Sequence, residues 1–288
     1  MLRTGFSFRP LYTKPPEKAS YFSNSFTNLS ANYEEGVNNM RERGVLSAFQ
    51  LKLLALVTMT IDHTAAVLGA QTVGEWYRPM RNLGRLAFPI YCFLLVEGFF
   101  HTRDAKKYMG RLGLVFCLSE VPFDLALYRR IPGPRSNVML TLLLGLCTVL
   151  VLDRGRELLE QRDASPAAET VYCWAVISAG MGLAFYWQTD YRGGGVLLIV
   201  LFYLFRGQLW ALLTTVPPVL LIFFTATELW GALALLPIAL YRGEPGPRPG
   251  GKAGQWFFYL YYPLHLTVLA IIRMTVFHVP VELFGTVY

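Results

Sequence analysis

Apolar residues run along this chain in long blocks, each closed by a short polar or glycine- and proline-rich interval. A helix rises about 1.5 Å per residue, so roughly 20 apolar residues cross a hydrocarbon core about 30 Å thick. The blocks near 46–70, 83–101, 112–128, 138–152, 169–187, 193–206, 209–227, 228–241 and 255–278 therefore predict transmembrane helices. The shortest of these predict tilted, broken or partly re-entrant segments, and the expected count is about 9–10 helices. Pro217 and Pro218 supply no backbone donor and are expected to interrupt their helix. The run RGEPGPRPGGKAG over 242–254 reads as a loop before the last span. The fold class is all-α, a polytopic integral membrane helical bundle, with one transmembrane domain over 46–288. Residues 1–45 are polar and contain no apolar signal core, so they read as a flexible cytoplasmic tail.

Composition agrees with lipid as the solvent: 54% of residues are hydrophobic and 16% charged, too little polar surface to coat a water-soluble globule of this length. The net charge of +7 is then a matter of topology and not of nucleic-acid binding, because Lys and Arg lie in short loops and build no basic face. With the tail inside, the cytoplasmic segments carry about 17 Lys and Arg, Arg206 among them, and the opposite loops about 6, Arg192 among them. That asymmetry predicts an N-terminus in the cytoplasm. Cys92, Cys117, Cys147 and Cys173 lie in apolar segments without CxxC spacing and read as core packing residues.

Ionisable side chains inside a span cost a few kcal/mol each, so each calls for a partner, a water-filled cavity or a function. Lys52 lies near the inner boundary, where it can snorkel. Asp62 and His63 lie deeper; as neighbours they point about 100° apart on a helix, so at least one must meet another helix. Arg85 is the natural counter-ion for Asp62, since antiparallel neighbouring spans bring both to the same half of the membrane. Arg78, Arg81 and Arg85 form a basic stripe if that helix starts early. Glu97 and His101 stand at the inner end of the second span. Glu120 and Asp124 share a face around Pro122, where they either hold a proton between them or fix a neighbouring helix. Asn137 and Thr141 open the fourth span, and Gly193, Gly194 and Gly195 permit close helix approach. Tyr261 and His265 share a face around Pro263. Two buried histidines without HExxH or Cys/His spacing do not make a metal site, and none is expected.

The blocks MTIDH, GRLAFPIYCFLLVEGFFHTR, KYMGRL, SEVPFDL, NVMLTLLLG, DYRGGGVLLI and FYLYYPLHL follow one another in the order seen in the TraX family, which this chain resembles from about residue 50 to 273. The resemblance implies an inner-membrane protein, the best-known member of the family acetylating the N-terminus of conjugative pilin. The family also looks like a branch of the wider transmembrane acyltransferases, among them heparan-α-glucosaminide acetyltransferases and bacterial O-acetyltransferases of surface polysaccharides. By that resemblance His63 is the candidate catalytic residue, and Asp62, Arg85, Glu97 and His265 are block residues whose individual roles stay open.

Acetyl transfer from acetyl-CoA needs a base near neutral pKa, and histidine is the side chain closest to that value. It also needs a donor for the thioester oxyanion, a role open to Arg85 or to a backbone amide. The phosphates of CoA should meet a basic inner mouth, for which Arg103, Lys106, Lys107 and Arg111 are the candidates. The expected partners are the bilayer, acetyl-CoA, and an acceptor amine or hydroxyl on a pilin or a surface glycan or peptide. A proton-coupled transporter using Asp62, His63, Glu97, Glu120 and Asp124 as a relay is one alternative. A non-catalytic assembly factor for a surface structure is the other.

Overall fold

The computed structural model describes residues 44–288, apart from positions 248, 279, 281, 284 and 288. The polar segment ahead of residue 44, expected as a tail, lies outside the described residues. Helices follow one another as α1 (Ala48–Leu68), α2 (Tyr77–Gly84), α3 (Ala87–His101), α4 (Ala105–Phe123), α5 (Val138–Gln161), α6 (Pro166–Tyr186), α7 (Arg192–Leu204), α8 (Leu209–Phe223), α9 (Leu235–Ala239) and α10 (Gly251–Thr275). Alanine and leucine favour these helices, and polar caps begin several of them. Ser47 and Gln50 form a reciprocal capping box on α1, Asn137 accepts from the Met139 amide at 2.9 Å on α5, and Ser165 caps α6 with Pro166 in its first turn.

Among the described residues, five segments are long and apolar enough to span a membrane: Ala48–Leu68, Ala70–His101, Val138–Gln161, Pro166–Tyr186 and Gly254–Thr275. Shorter apolar helices at Arg192–Leu204, Leu209–Phe223 and Ala226–Ala239 lie between them. The chain is thus an all-α, multi-pass membrane protein. Small pairings tie its two ends. At the end where α1 begins, here the near end, Leu46 bridges to Tyr241. At the opposite, far end Ser136 bridges to Thr189, and a strand at Arg130–Ile131 runs parallel to Glu282–Leu283.

Several expectations are corrected. α8 passes through Pro217 and Pro218 as one helix, because proline's fixed φ is itself helical and only two amide donors are missing. The third span starts earlier than its apolar block, at Ala105, where Asp104 accepts from the Lys107 amide at 3.0 Å. After Pro122 it continues as a π turn over Asp124–Tyr128, which Arg129 ends in the left-handed region. Of the four cysteines only Cys92 is buried; Cys147 and Cys173 are half-buried and Cys117 is exposed, so the four are not a core set.

The three glycines opening α7 are where helices come closest. A Cβ on Gly193 would stand 3.1 Å from Met181 Cβ, and one on Gly194 2.6 Å from Phe223 Cβ. On Gly195 it would meet Thr141 Cγ2 at 2.5 Å. Three consecutive residues thus seat α7 against α6, α8 and α5, which places Tyr191, just ahead of them, against Phe88 with ring centroids 3.5 Å apart.

Candidate functional site

Two cavities open into the bundle from its opposite ends. The far cavity, about 590 Å3, is lined by the second half of α1, by α2, by the first residues of α3, and by the loops at 190–192 and 223–228. The near cavity, about 600 Å3, is lined by the first residues of α1, the end of α3, α4 and the start of α10. Tyr91, Met139 and Leu142 line both.

At the far cavity α1 presents Asp62 and His63 on different faces, as adjacent helical residues must. Asp62 turns to α2 and to the turn between α2 and α3. It accepts from Arg81 Nη1 at 2.7 Å and from Arg85 Nη2, while Arg85 Nη1 reaches Glu228. Arg85 Nε donates to the Arg81 carbonyl at 3.2 Å, so all three of its nitrogens have protein partners. Asp62 and Arg85 are 7% and 8% exposed, a pair with both charges withdrawn from solvent. Gly84 makes the approach possible: a Cβ there would lie 2.6 Å from Asp62 Cγ. Glu228 sits in an unusually long 3-10 stretch, Ala226–Ala234, which holds its carboxylate over Arg85.

His63 turns instead to α10. Its Nδ1 lies 2.7 Å from His265 Nε2, the two rings are within 7° of parallel, and His265 Nδ1 lies 2.8 Å from the Tyr261 carbonyl. A carbonyl only accepts, so His265 carries its proton on Nδ1. With both rings neutral, His265 Nε2 is then an acceptor and His63 Nδ1 the donor. That leaves His63 Nε2 unprotonated on a ring that lines the far cavity. Tyr261 stacks on His265 at 5.1 Å and its hydroxyl meets Thr60 Oγ1 at 2.8 Å, so both α10 residues are held from α1 as well. Among the described residues no group of three His, Cys, Asp or Glu side chains surrounds this pair in a way that would hold a metal ion.

Glu120 and Asp124 do not share a proton with each other. Glu120 accepts from the Asn137 amide at 3.1 Å and from its side chain, whereas Asp124 accepts from the Gly133 amide at 2.7 Å. Both fix the loop that enters α5. Thr141 is buried, and its hydroxyl has no hydrogen-bond partner among the described residues.

At the near end Glu97 is 3% exposed and accepts from Nε and Nη2 of Arg206, which is itself buried under the Phe100 ring at 4.3 Å. Arg206 was expected as a loop charge; the structure brings it in because a buried carboxylate on α3 needs a cation. His101 Nδ1 lies 2.7 Å from the Glu97 carbonyl, and its ring lines the near cavity. Of the four basic residues expected to meet CoA phosphates, only Arg111 lines this cavity. Its guanidinium stands 5.7 Å from the Tyr108 ring and 5.8 Å from that of Tyr259, and its buried Nε has no hydrogen-bond partner among the described residues. Arg103, Lys106 and Lys107 are exposed, Lys107 pairing with Asp104 at 3.4 Å.

The cavities also contain residues to which the sequence assigns no role. Glu228 is an ionisable side chain in the apolar run TATELWGALALL, the same signal that exposed Asp62. Asp190, in the loop ahead of α7, lines the far cavity, and burial pushes its carboxyl up to about 6 against the pull of Arg85 and Arg135. Tyr91 carries no such mark in the sequence, because an aromatic in an apolar run is ordinary.

No solved structure matches this chain. Among curated proteins it is 32% identical over 260 residues to "Probable fimbrial assembly protein FimC, serogroup H1" of Dichelobacter nodosus, covering 79% of this chain and 96% of the relative. The family profile described as "TraX protein" matches residues 47–273, a stretch that holds both cavities' charged residues and both histidines. The chain belongs to the TraX family.

Proposed function

We propose that this protein is a membrane-embedded acetyltransferase, which moves an acetyl group from cytosolic acetyl-CoA to an amine or hydroxyl of a pilin, or of a related surface protein or glycan. The observation that carries the reading is the contact of His63 Nδ1 with His265 Nε2, which leaves Nε2 of a neutral His63 free to accept a proton on a ring that lines the far cavity. A base so held takes a proton only from something in that cavity, here the acceptor. As the proton leaves, the acceptor nitrogen or oxygen bonds to the thioester carbonyl carbon. The carbon–sulfur bond then breaks, and the proton passes from His63 to the departing sulfur, giving free CoA thiol.

In this reading the near end faces the cytoplasm, in accord with the excess of Lys and Arg in the loops on that side. Each cavity lies within the few hundred to 1,000 Å3 usual for small-molecule sites. The pantetheine arm of the donor takes the near cavity, where Arg111 offers a cation among aromatic rings, and Arg103, Lys106 and Lys107 outside it meet the phosphates. Asp62 and Arg85 serve by holding α1, α2 and the Glu228 stretch in place, since every nitrogen of Arg85 has a protein partner.

The name of the relative favours a second reading: a non-catalytic factor in fimbrial assembly. The test is release of free thiol from acetyl-CoA by the full chain in nanodiscs, with amine and hydroxyl acceptors and His63→Ala as control. Transfer that vanishes in a folded, monodisperse His63→Ala variant supports the enzyme. A wild-type chain that neither binds nor consumes acetyl-CoA overturns it. Fimbriation that survives His63→Ala in cells, alongside that result, selects the assembly factor.

A further inference from the structure

Tyr91 of α3 and Met139 and Leu142 of α5 are the side chains that wall both cavities. Met139 and Leu142 are three residues apart and share one face of α5. Tyr91 and Met139 each pack against both of the larger apolar clusters in the bundle, and Leu142 belongs to one of them at 5% exposure. Charged groups stand on either side of this partition, Glu97 and Arg111 in the near cavity and Asp62 and Arg85 in the far one. The partition itself has one hydroxyl and no charge.

We infer that Tyr91, Met139 and Leu142 form the constriction through which the donor's acyl group reaches the far cavity, and that their bulk limits the acyl chain the protein transfers. This rests on the acetyl-transfer reading. The polyanionic part of an acyl-CoA stays in the near cavity, so only the thioester and its acyl tail advance toward His63. The bonds made and broken are the same for every acyl length. The carbonyl carbon exchanges sulfur for the acceptor atom, and the proton travels from acceptor to His63 to thiol. What changes with length is the room needed beside these three side chains, which line both cavities. One methylene in such a site changes specificity by roughly 10–200-fold.

The experiment compares kcat/KM for thiol release from acetyl-, propionyl- and butyryl-CoA by the full chain in nanodiscs. Wild type is expected to lose roughly 10-fold or more with each added methylene. Met139→Ala and Leu142→Ala are each expected to raise the butyryl-to-acetyl ratio by about 10-fold or more. Cys147→Ala, on the same helix but lining neither cavity, is expected to keep the wild-type ratio. A ratio is internal to each variant, so partial loss of folded protein cancels. If the alanine variants do not fold, Met139→Val and Leu142→Val are scored the same way, with a smaller shift in the same direction. Acetyl-CoA consumption with an unchanged ratio in these variants overturns the constriction and leaves the acetyltransferase standing. A wild-type chain that consumes no acyl-CoA overturns both.

Discussion

His63 Nδ1 and His265 Nε2 meet at 2.7 Å, joining α1 to α10 across 202 residues of sequence. The pair fixes the tautomer of His63, because His265 has committed its own proton to the Tyr261 carbonyl. Replacing His265 by Leu is therefore expected to lower kcat by roughly 10²-fold while leaving KM nearly unchanged. His265→Gln keeps a carbonyl acceptor for His63 Nδ1 and is expected to recover part of that loss. Steady-state thiol release separates the two variants.

Glu97 and Arg206 form the corresponding bond at the near end. Removing one partner leaves a buried charge, so Arg206→Met alone is expected to cost about 3–5 kcal/mol. The double variant Glu97→Leu with Arg206→Met is expected to recover most of it, because no charge is left without a partner. Thermal unfolding in a fixed detergent, compared across the two single variants and the double one, measures that coupling.

Gly195 abuts Thr141 and Phe88, and Gly194 the Phe223 and Phe224 side chains. Gly195→Val is expected to destabilise by about 1–3 kcal/mol through overpacking, and to displace Tyr191 from Phe88. Lower thermal stability together with weakened ligand binding in the far cavity is the outcome to look for.

Asp190 gives a pH dependence with an unusual sign. Its carboxyl is pushed up to about 6, chiefly by burial, above its ordinary value near 4. The folded protein therefore binds more protons than the unfolded chain between those values. Stability from this group is present at low pH and lost as pH rises through about 6. Asp190→Asn is expected to flatten the unfolding temperature over that window, which a pH series of thermal melts checks.

The sequence is most readable where physics leaves few choices. Blocks of apolar residues locate the spans, and the cost of charge in lipid singles out Asp62, Arg85 and Glu97 before any coordinates. The Asp62 and Arg85 pair is legible because adjacent spans are antiparallel. The partner of Glu97 is not: Arg206 lies at the end of a span, where a basic residue is ordinary and local reading leaves it in the loop. Glu120 and Asp124 are spaced to share a proton, yet each finds a donor in the loop between π turn and α5, a conformation set by tertiary packing. Tyr91, Met139 and Leu142 were invisible, since a wall between cavities is a property of space and leaves no pattern in an apolar run.

The distance in sequence between the two histidines also sets when the site exists. α1 enters the membrane first, and Asp62 finds Arg85 within the next span. Among the described residues, His63 finds its hydrogen-bond partner only in α10. At about 5–20 residues per second, the ribosome needs roughly 10–40 s to make the 202 residues that follow before His265 emerges. Throughout that interval the nascent chain holds the ring without the group that orients it. The tautomer, and with it the base proposed at Nε2, is installed only when α10 docks against α1.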